Sequence, residues 1–158
     1  MKETVGALTI VGCLTLFVTA APVQAQGSAK PAAVSPAQIR MVMETYVKLL
    51  NAGDAEGIMT LYGDNPTVED PVGGKPVVGR EAVRAFYAAA APGLKGHVQL
   101  VGPVRVAMGL EGAMPMVAEL TGARKGFIDV IDTMKFDENG KIIAMRAYWN
   151  PGEIRPTR

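Results

Sequence analysis

The chain has 158 residues, 49% hydrophobic and 20% charged, which points to one globular domain with enough apolar side chains to build a core. Sixteen basic and fifteen acidic residues leave a net charge of +1, so there is no electrostatic footprint for nucleic acid or an anionic lipid surface. One cysteine and one histidine exclude a disulfide framework and a Cys/His metal cluster.

The N-terminus reads as a targeting segment. Lys2 precedes an apolar run from Val5 to Ala21, broken only by Gly, Thr and Cys13, and Val23-Gln24-Ala25 forms a cleavage site before Gln26. This pattern predicts a secretory signal peptide over residues 1–25 and export, with the bacterial periplasm as destination. Glu3 weakens the positive n-region, and Ile10-Val11-Gly12-Cys13 resembles a lipoprotein box only loosely, early in the run. Retention as an uncleaved anchor is the alternative, because the run approaches the shortest spanning length. Cleavage removes Cys13 and leaves a mature chain held by its core alone, with no membrane attachment. Residues 26–34, rich in Ala, Ser and Pro, form a flexible leader.

Ser35-Pro36-Ala37-Gln38 starts a helix: Ser35 is the N-cap, Pro36 takes the first position and Gln38 completes a capping box. Ile39, Val42, Met43, Tyr46, Leu49 and Leu50 share one face, and Gly53 ends the helix. Tyr46 thus lies in the buried stripe with a hydroxyl that needs a partner. Asp54 caps a shorter helix with Ile58, Leu61 and Tyr62 on its apolar face. A third helix runs from Arg80 to Ala91, turns Val83, Phe86, Tyr87 and Ala90 inward, and is closed by Pro92-Gly93.

The rest reads as strands. Between the second and third helices, Thr67-Val68-Glu69-Asp70-Pro71 is a short strand stopped by proline, and Lys75 to Val78 folds back on it. Val98 to Ala107 and Ala113 to Thr121 follow, with Pro103 and Pro115 at bulges or edges. Arg124 to Phe136 and Lys141 to Trp149 form a hairpin around Asp137-Glu138-Asn139-Gly140. Three helices followed by mainly antiparallel strands predict an α+β domain over residues 35–150, with helices on one face of the sheet and a tail over 151–158.

Two aspartates stand out by strand alternation. Val68 and Asp70 share a face, so Asp70 is aimed inward at a strand end, where a carboxylate suits a general base. Capping of the Val72-Gly73-Gly74-Lys75 turn is the competing role. Ile128, Val130, Asp132, Met134 and Phe136 also share a face, which places Asp132 in an apolar stripe. Desolvation there raises its pKa and favours a neutral acid that can donate a hydrogen bond. With the faces reversed, Asp132 would be solvated beside Lys135. On the partner strand Ile143, Met145, Ala147 and Trp149 share a face, so Met145 and Trp149 line a pocket or pack as ordinary core. His97, at a strand start, reads as an edge residue. Asp70 as base, with Tyr46 and neutral Asp132 as donors to a developing oxyanion, fits proton abstraction next to a carbonyl through an enolate.

The combination of Tyr46, Asp70-Pro71 and Asp132 resembles the bacterial ketosteroid isomerases (steroid Δ5-isomerases) of the NTF2-like/SnoaL-like superfamily. The resemblance spans Ser35 to Trp149. It is carried by Tyr46-Val47-x-x-Leu50-Asn51-Ala52-Gly53-Asp54, Thr67-Val68-Glu69-Asp70-Pro71-Val72-Gly73, Phe86-Tyr87, Ile131-Asp132 and Met145-Arg146-Ala147-Tyr148-Trp149. That enzyme is itself the standard example of a carboxylic acid kept neutral to donate a hydrogen bond, so the role of Asp132 is not independent of the resemblance. The resemblance implies a conical barrel, three helices on a strongly curved, mainly antiparallel sheet. It implies a homodimer, no cofactor and no metal, and a 3-oxo-steroid substrate. It implies that Asp70 moves a proton from C4 to C6 while Tyr46 and Asp132 stabilise the dienolate. Tyr62 and Tyr87 would support Tyr46, and Phe86, Met145 and Trp149 would line the steroid pocket. The alternatives are another cyclase or dehydratase on the same cone, or a non-catalytic periplasmic binder of a hydrophobic ligand.

Overall fold

The computed structural model describes residues 33–121 and 125–156. The expected signal peptide, residues 26–32 of the expected leader, and Arg124 lie outside these residues. Among the described residues no helix is long and apolar enough to cross a membrane.

Helix α1, Pro36–Ala52, begins in the expected reciprocal cap: Gln38 N–H donates to Ser35 Oγ at 3.2 Å and Ser35 N–H to Gln38 Oε1 at 2.8 Å. It ends at Gly53, which takes the left-handed φ of 69° that a side chain would resist. Its buried stripe is Ile39, Met43, Tyr46, Val47 and Leu50; Val42 and Leu49 are only half-buried. Helix α2, Ala55–Leu61, is capped by Asp54, which accepts from Gly57 N–H at 2.8 Å.

Tyr62 does not continue α2 but opens strand β1, Tyr62–Glu69. The Arg80 guanidinium clamps this helix-to-strand junction, donating to the carbonyls of Met59 in α2 and of Tyr62 and Gly63 in β1 at 3.0, 3.1 and 2.9 Å. Strand β2, Val77–Val78, pairs back antiparallel on β1.

Helix α3, Arg80–Leu94, continues through Pro92 and Gly93 rather than closing there. Pro92 falls in the last turn, where its missing N–H removes a single helical bond.

Five strands follow: β3 (Val98–Leu100), β4 (Arg105–Val106), β5 (Glu111–Thr121), β6 (Lys125–Phe136) and β7 (Ile142–Tyr148). The single strand expected over Val98 to Ala107 is therefore broken, at Gly102-Pro103. Pro115 on β5 faces this break. Its carbonyl accepts from Val101 N–H at 3.1 Å, and its missing N–H removes no ladder bond where the neighbouring strand is interrupted.

The sheet runs β2-β1-β7-β6-β5-β3, with β4 also on β5; β1 and β7 are parallel and the other pairs antiparallel. This is the α+β architecture expected, three helices on a curved, mainly antiparallel sheet that stays open, with β2 and β3 as edges. The β6–β7 register shifts after Lys135, so Ile142 rather than Ile143 joins Met145 and Ala147 in the core.

The inward face of β5 packs against α1 and α3, and the buried side chains of β6 and β7 join the same core. The closest approach is at Gly112, where a Cβ would collide with the Met43 sulfur. The C-terminal tail is docked: after a single 3-10 turn at Pro151–Glu153, Arg155 exchanges backbone bonds of 2.7 and 2.8 Å with Phe127. Its guanidinium reaches Asp129 at 2.7 Å.

Candidate active site

A cavity of about 440 Å³ lies between α1, α3 and the inward face of β5, β6 and β7. Leu50, Phe86, Met116, Val130 and Ala147 are among its apolar walls, and its polar side chains are Tyr46, Asp70, Thr121, Asp132 and the Trp149 indole.

Strand alternation on β6 delivers Asp132. Ile128, Val130, Asp132, Met134 and Phe136 are all buried, and Asp132 is 2% exposed. Its Oδ1 is buried with no hydrogen-bond partner. A carboxylate there would lose hydration without compensation. Burial raises its pKa well above the usual carboxylate range, and the negative charge of Asp70 raises it further. The site therefore favours the neutral acid, which carries an O–H donor.

Asp70 stands one residue beyond β1. On one side of it Glu69 is in register with Arg146 of β7, and on the other Val72 N–H donates to Ala147 O at 2.8 Å. The backbone is thus fixed on both sides of the carboxylate. Trp149 Nε1–H donates to Asp70 Oδ1 at 2.5 Å. Asp70 is an exposed residue, yet its side chain lines the largely apolar cavity. The surroundings of the carboxyl decide its titration: desolvation raises its pKa, and the Trp149 hydrogen bond opposes that rise.

Tyr46 comes from the buried stripe of α1. Its hydroxyl lies 3.2 Å from that of Tyr87, which lies 2.6 Å from that of Tyr62. Tyr87 is therefore the centre of the chain, and Tyr62 reaches Tyr46 only through it. If Tyr46 donates into the cavity, Tyr87 must donate to Tyr46 and Tyr62 to Tyr87, because each hydroxyl has one proton. Such chains polarise one another. All three phenols are pushed well above their ordinary value, first by burial and next by a neighbouring acid: Asp132 for Tyr46, Tyr87 for Tyr62 and Tyr46 for Tyr87.

Of the residues expected at the site, Tyr46, Asp70, Asp132, Phe86 and Trp149 share the cavity wall. Tyr62 and Tyr87 stand behind Tyr46. Met145 is 1% exposed and packs in the core, not on the wall, so it is not placed to touch a ligand. His97 lies off the cavity, with Nδ1 2.9 Å from Glu119 Oε2. Two functions escaped sequence reading: the Trp149 bond to Asp70 and the Arg80 clamp beneath Tyr62. A half-buried indole N–H requires an acceptor, and that was the available signal for the first. Among the described residues no group of three or more His, Cys, Asp or Glu side chains could hold a metal ion.

Chemically, the arrangement pairs a carboxylate at the cavity mouth with two neutral O–H donors in its wall. It can move a proton within a bound apolar molecule while stabilising charge on an oxygen of that molecule.

Comparison with known proteins agrees with this fold. Residues 43–145 match the SnoaL-like domain family. The chain is 35% identical over 118 residues to the steroid Δ-isomerase of Nocardioides simplex, covering 75% of this chain and 94% of that protein. It is 32% identical over 118 residues to the epoxide hydrolase LasB of Streptomyces lasalocidi, covering 66% of this chain but only 38% of that protein. The solved structure of SalBIII, an epoxide hydrolase/cyclase-like enzyme of pyran ring formation in the polyether salinomycin, superposes with a TM-score of 0.69 at 24% identity. That match covers 77% of this chain and 97% of SalBIII. The chain belongs to the SnoaL-like (NTF2-like) family. Two relatives above 30% identity are enzymes: a steroid isomerase and an epoxide hydrolase.

Proposed function

We propose that this protein is a steroid Δ5-Δ4 isomerase acting on 3-oxo-Δ5-steroids. The observation that carries the reading is the convergence of Asp70, Tyr46 and Asp132, with its unpartnered Oδ1, on one apolar cavity. Asp70 takes the C4 proton, and the electron pair moves through C3 onto its oxygen as a dienolate. Tyr46 and neutral Asp132 donate to that oxygen. Asp70 then returns the proton at C6, and the product is the conjugated Δ4 enone. The reaction redistributes a proton and electrons within one molecule, so it consumes no oxidant or co-substrate.

Two aspartates with different environments are suited to this division of roles, one ionised and one neutral. The similarity to the Nocardioides steroid isomerase supports the substrate class. Export after removal of residues 1–25 belongs to the same proposal, supported by the apolar run from Val5 to Ala21 and the Val23-Gln24-Ala25 site, as does a homodimer, which the family resemblance implies.

A second reading is epoxide opening, favoured by the similarity to LasB. The same pair would serve it, with Asp132 protonating the epoxide oxygen and Asp70 deprotonating the attacking hydroxyl. An ultraviolet assay for enone formation from 5-androstene-3,17-dione tests the first reading. Turnover of an epoxy alcohol with no enone formation would replace it with the second.

A further inference from the structure

Asp70 and Trp149 each stand one residue past a strand end, on the adjacent parallel strands β1 and β7. Their hydrogen bond crosses the inner side of the sheet. On the outer side, directly behind it, Glu69 and Arg146 are register partners. Arg146 Nε–H donates to Glu69 Oε2 at 2.8 Å, and Gly73 N–H donates to Glu69 Oε1 at 2.9 Å. Arg146 Nη1–H also donates to Tyr148 Oη at 2.9 Å, and its guanidinium lies 5.4 Å from the centre of that ring. One ion pair thus binds the residue before Asp70, the turn after it and the residue before Trp149.

We infer that Arg146, through Glu69, is a positioning residue that holds Asp70 and Trp149 at hydrogen-bond distance where β1 and β7 end side by side. Beyond Glu69–Arg146 the ladder continues only through Val72 and Ala147. A partly exposed ion pair adds little to global stability, so the brace acts on local geometry. Arg is suited to this place because its fork supplies Nε to Glu69 and Nη1 to Tyr148 at once, which Lys cannot.

The test needs no substrate. Trp149 is the only tryptophan of the chain, so its fluorescence reports on the carboxyl group it touches. The other titratable groups around Asp70 are Tyr46 on α1, Tyr87 on α3, Tyr62 on β1 and Asp132 on β6, with Glu69 and Arg146 behind the sheet. Phe86, Ala90, Gly93 and Leu94, the α3 residues on the cavity wall, do not ionise. The Asp70→Asn variant identifies the fluorescence transition that belongs to Asp70, by abolishing it.

In Arg146→Gln that transition is expected to move to higher pH, because the Trp149 bond that favours ionised Asp70 is loosened. The kinetic arm rests on the isomerase reading: kcat falls about tenfold with KM little changed, as for a misplaced reacting group. On a Trp149→Phe background Arg146→Gln adds no further loss, since both changes break one contact. Glu69→Gln, of the same size as the residue it replaces, repeats the test if Arg146→Gln melts early. An unmoved fluorescence midpoint in both variants, or a loss additive with Trp149→Phe, overturns the inference. A wild-type chain inactive on the steroid would sink the isomerase reading alone, while the fluorescence shift still decides the brace.

Discussion

Replacing Asp132 by leucine should slow the enzyme and stabilise the fold, and the two effects share one origin. In the wild type, Asp132 is 2% exposed with Oδ1 unpartnered, so the fold carries a polar group it does not satisfy. Leaving such a group unmade costs about 1–3 kcal/mol, and leucine, close in volume, removes it. Loss of one oxyanion donor costs about 2.7–4 kcal/mol in the transition state, a fall of roughly 10²–10³ in turnover. The pH dependence sharpens the claim. Folded Asp132 keeps its proton well above the ordinary aspartate value of 3.8, whereas the unfolded chain releases it there. Unfolding therefore releases a proton between the two pKa values, and wild-type stability falls as pH rises through that window. The leucine variant lacks this slope, so its advantage in melting temperature should widen from about pH 4 to about pH 7. Asn, which still donates, should retain more turnover than Leu, and a phenolic steroid, which mimics the enolate oxygen, should lose affinity in the order Asp132, Asn, Leu. Enone formation followed by ultraviolet absorbance gives the rates, and thermal melts at the two pH values give the stability. A leucine variant with near wild-type turnover would refute the donor role. One that melts lower, by an amount independent of pH, would refute the burial argument.

Asp70→Asn keeps size and polarity but removes the basic oxygen, so isomerisation should be lost almost completely while steroid binding, measured by quenching of Trp149 fluorescence, persists. In the wild type kcat/KM should fall on the acid side with a midpoint above the ordinary aspartate value of 3.8, because desolvation raises the Asp70 pKa and the base is the ionised form. Under the proposed export with cleavage after Ala25, the mature N-terminus should lie near Gln26; sequencing of protein recovered from a periplasmic fraction checks this, and full-length protein in the cytosol would refute it.

Local rules made most of the elements legible. The Ser35–Gln38 box, Gly53, the Asp54 cap and the Asp137–Gly140 turn are each set by a few neighbouring residues, and each forms where its residues predict. The misreadings occurred where distant residues override local preference. Tyr62 leaves the helix at a junction clamped by Arg80, seventeen to twenty-one positions along the chain from the carbonyls it binds. The Val98–Ala107 segment breaks opposite Pro115, which belongs to another strand. The outward shift of Ile143 follows from a bulge against β6 that no periodicity of β7 alone reveals.

The same distinction governs the candidate site. Asp132 was visible because it breaks its own stripe: one acid among four apolar residues is a local inconsistency, and such inconsistencies concentrate where function is costly to the fold. Asp70 was visible because a proline fixes the end of its strand. Trp149 obeys every local rule, apolar on an inward face, so nothing in its neighbourhood marks it as a donor to a residue 79 positions away. Its partner is set by the parallel pairing of β1 with β7, a long-range contact that brings two strand ends side by side. Alternation tells which face a side chain takes. Topology decides what it meets there, and in this cavity the Asp70 carboxyl and the Trp149 indole meet only through topology.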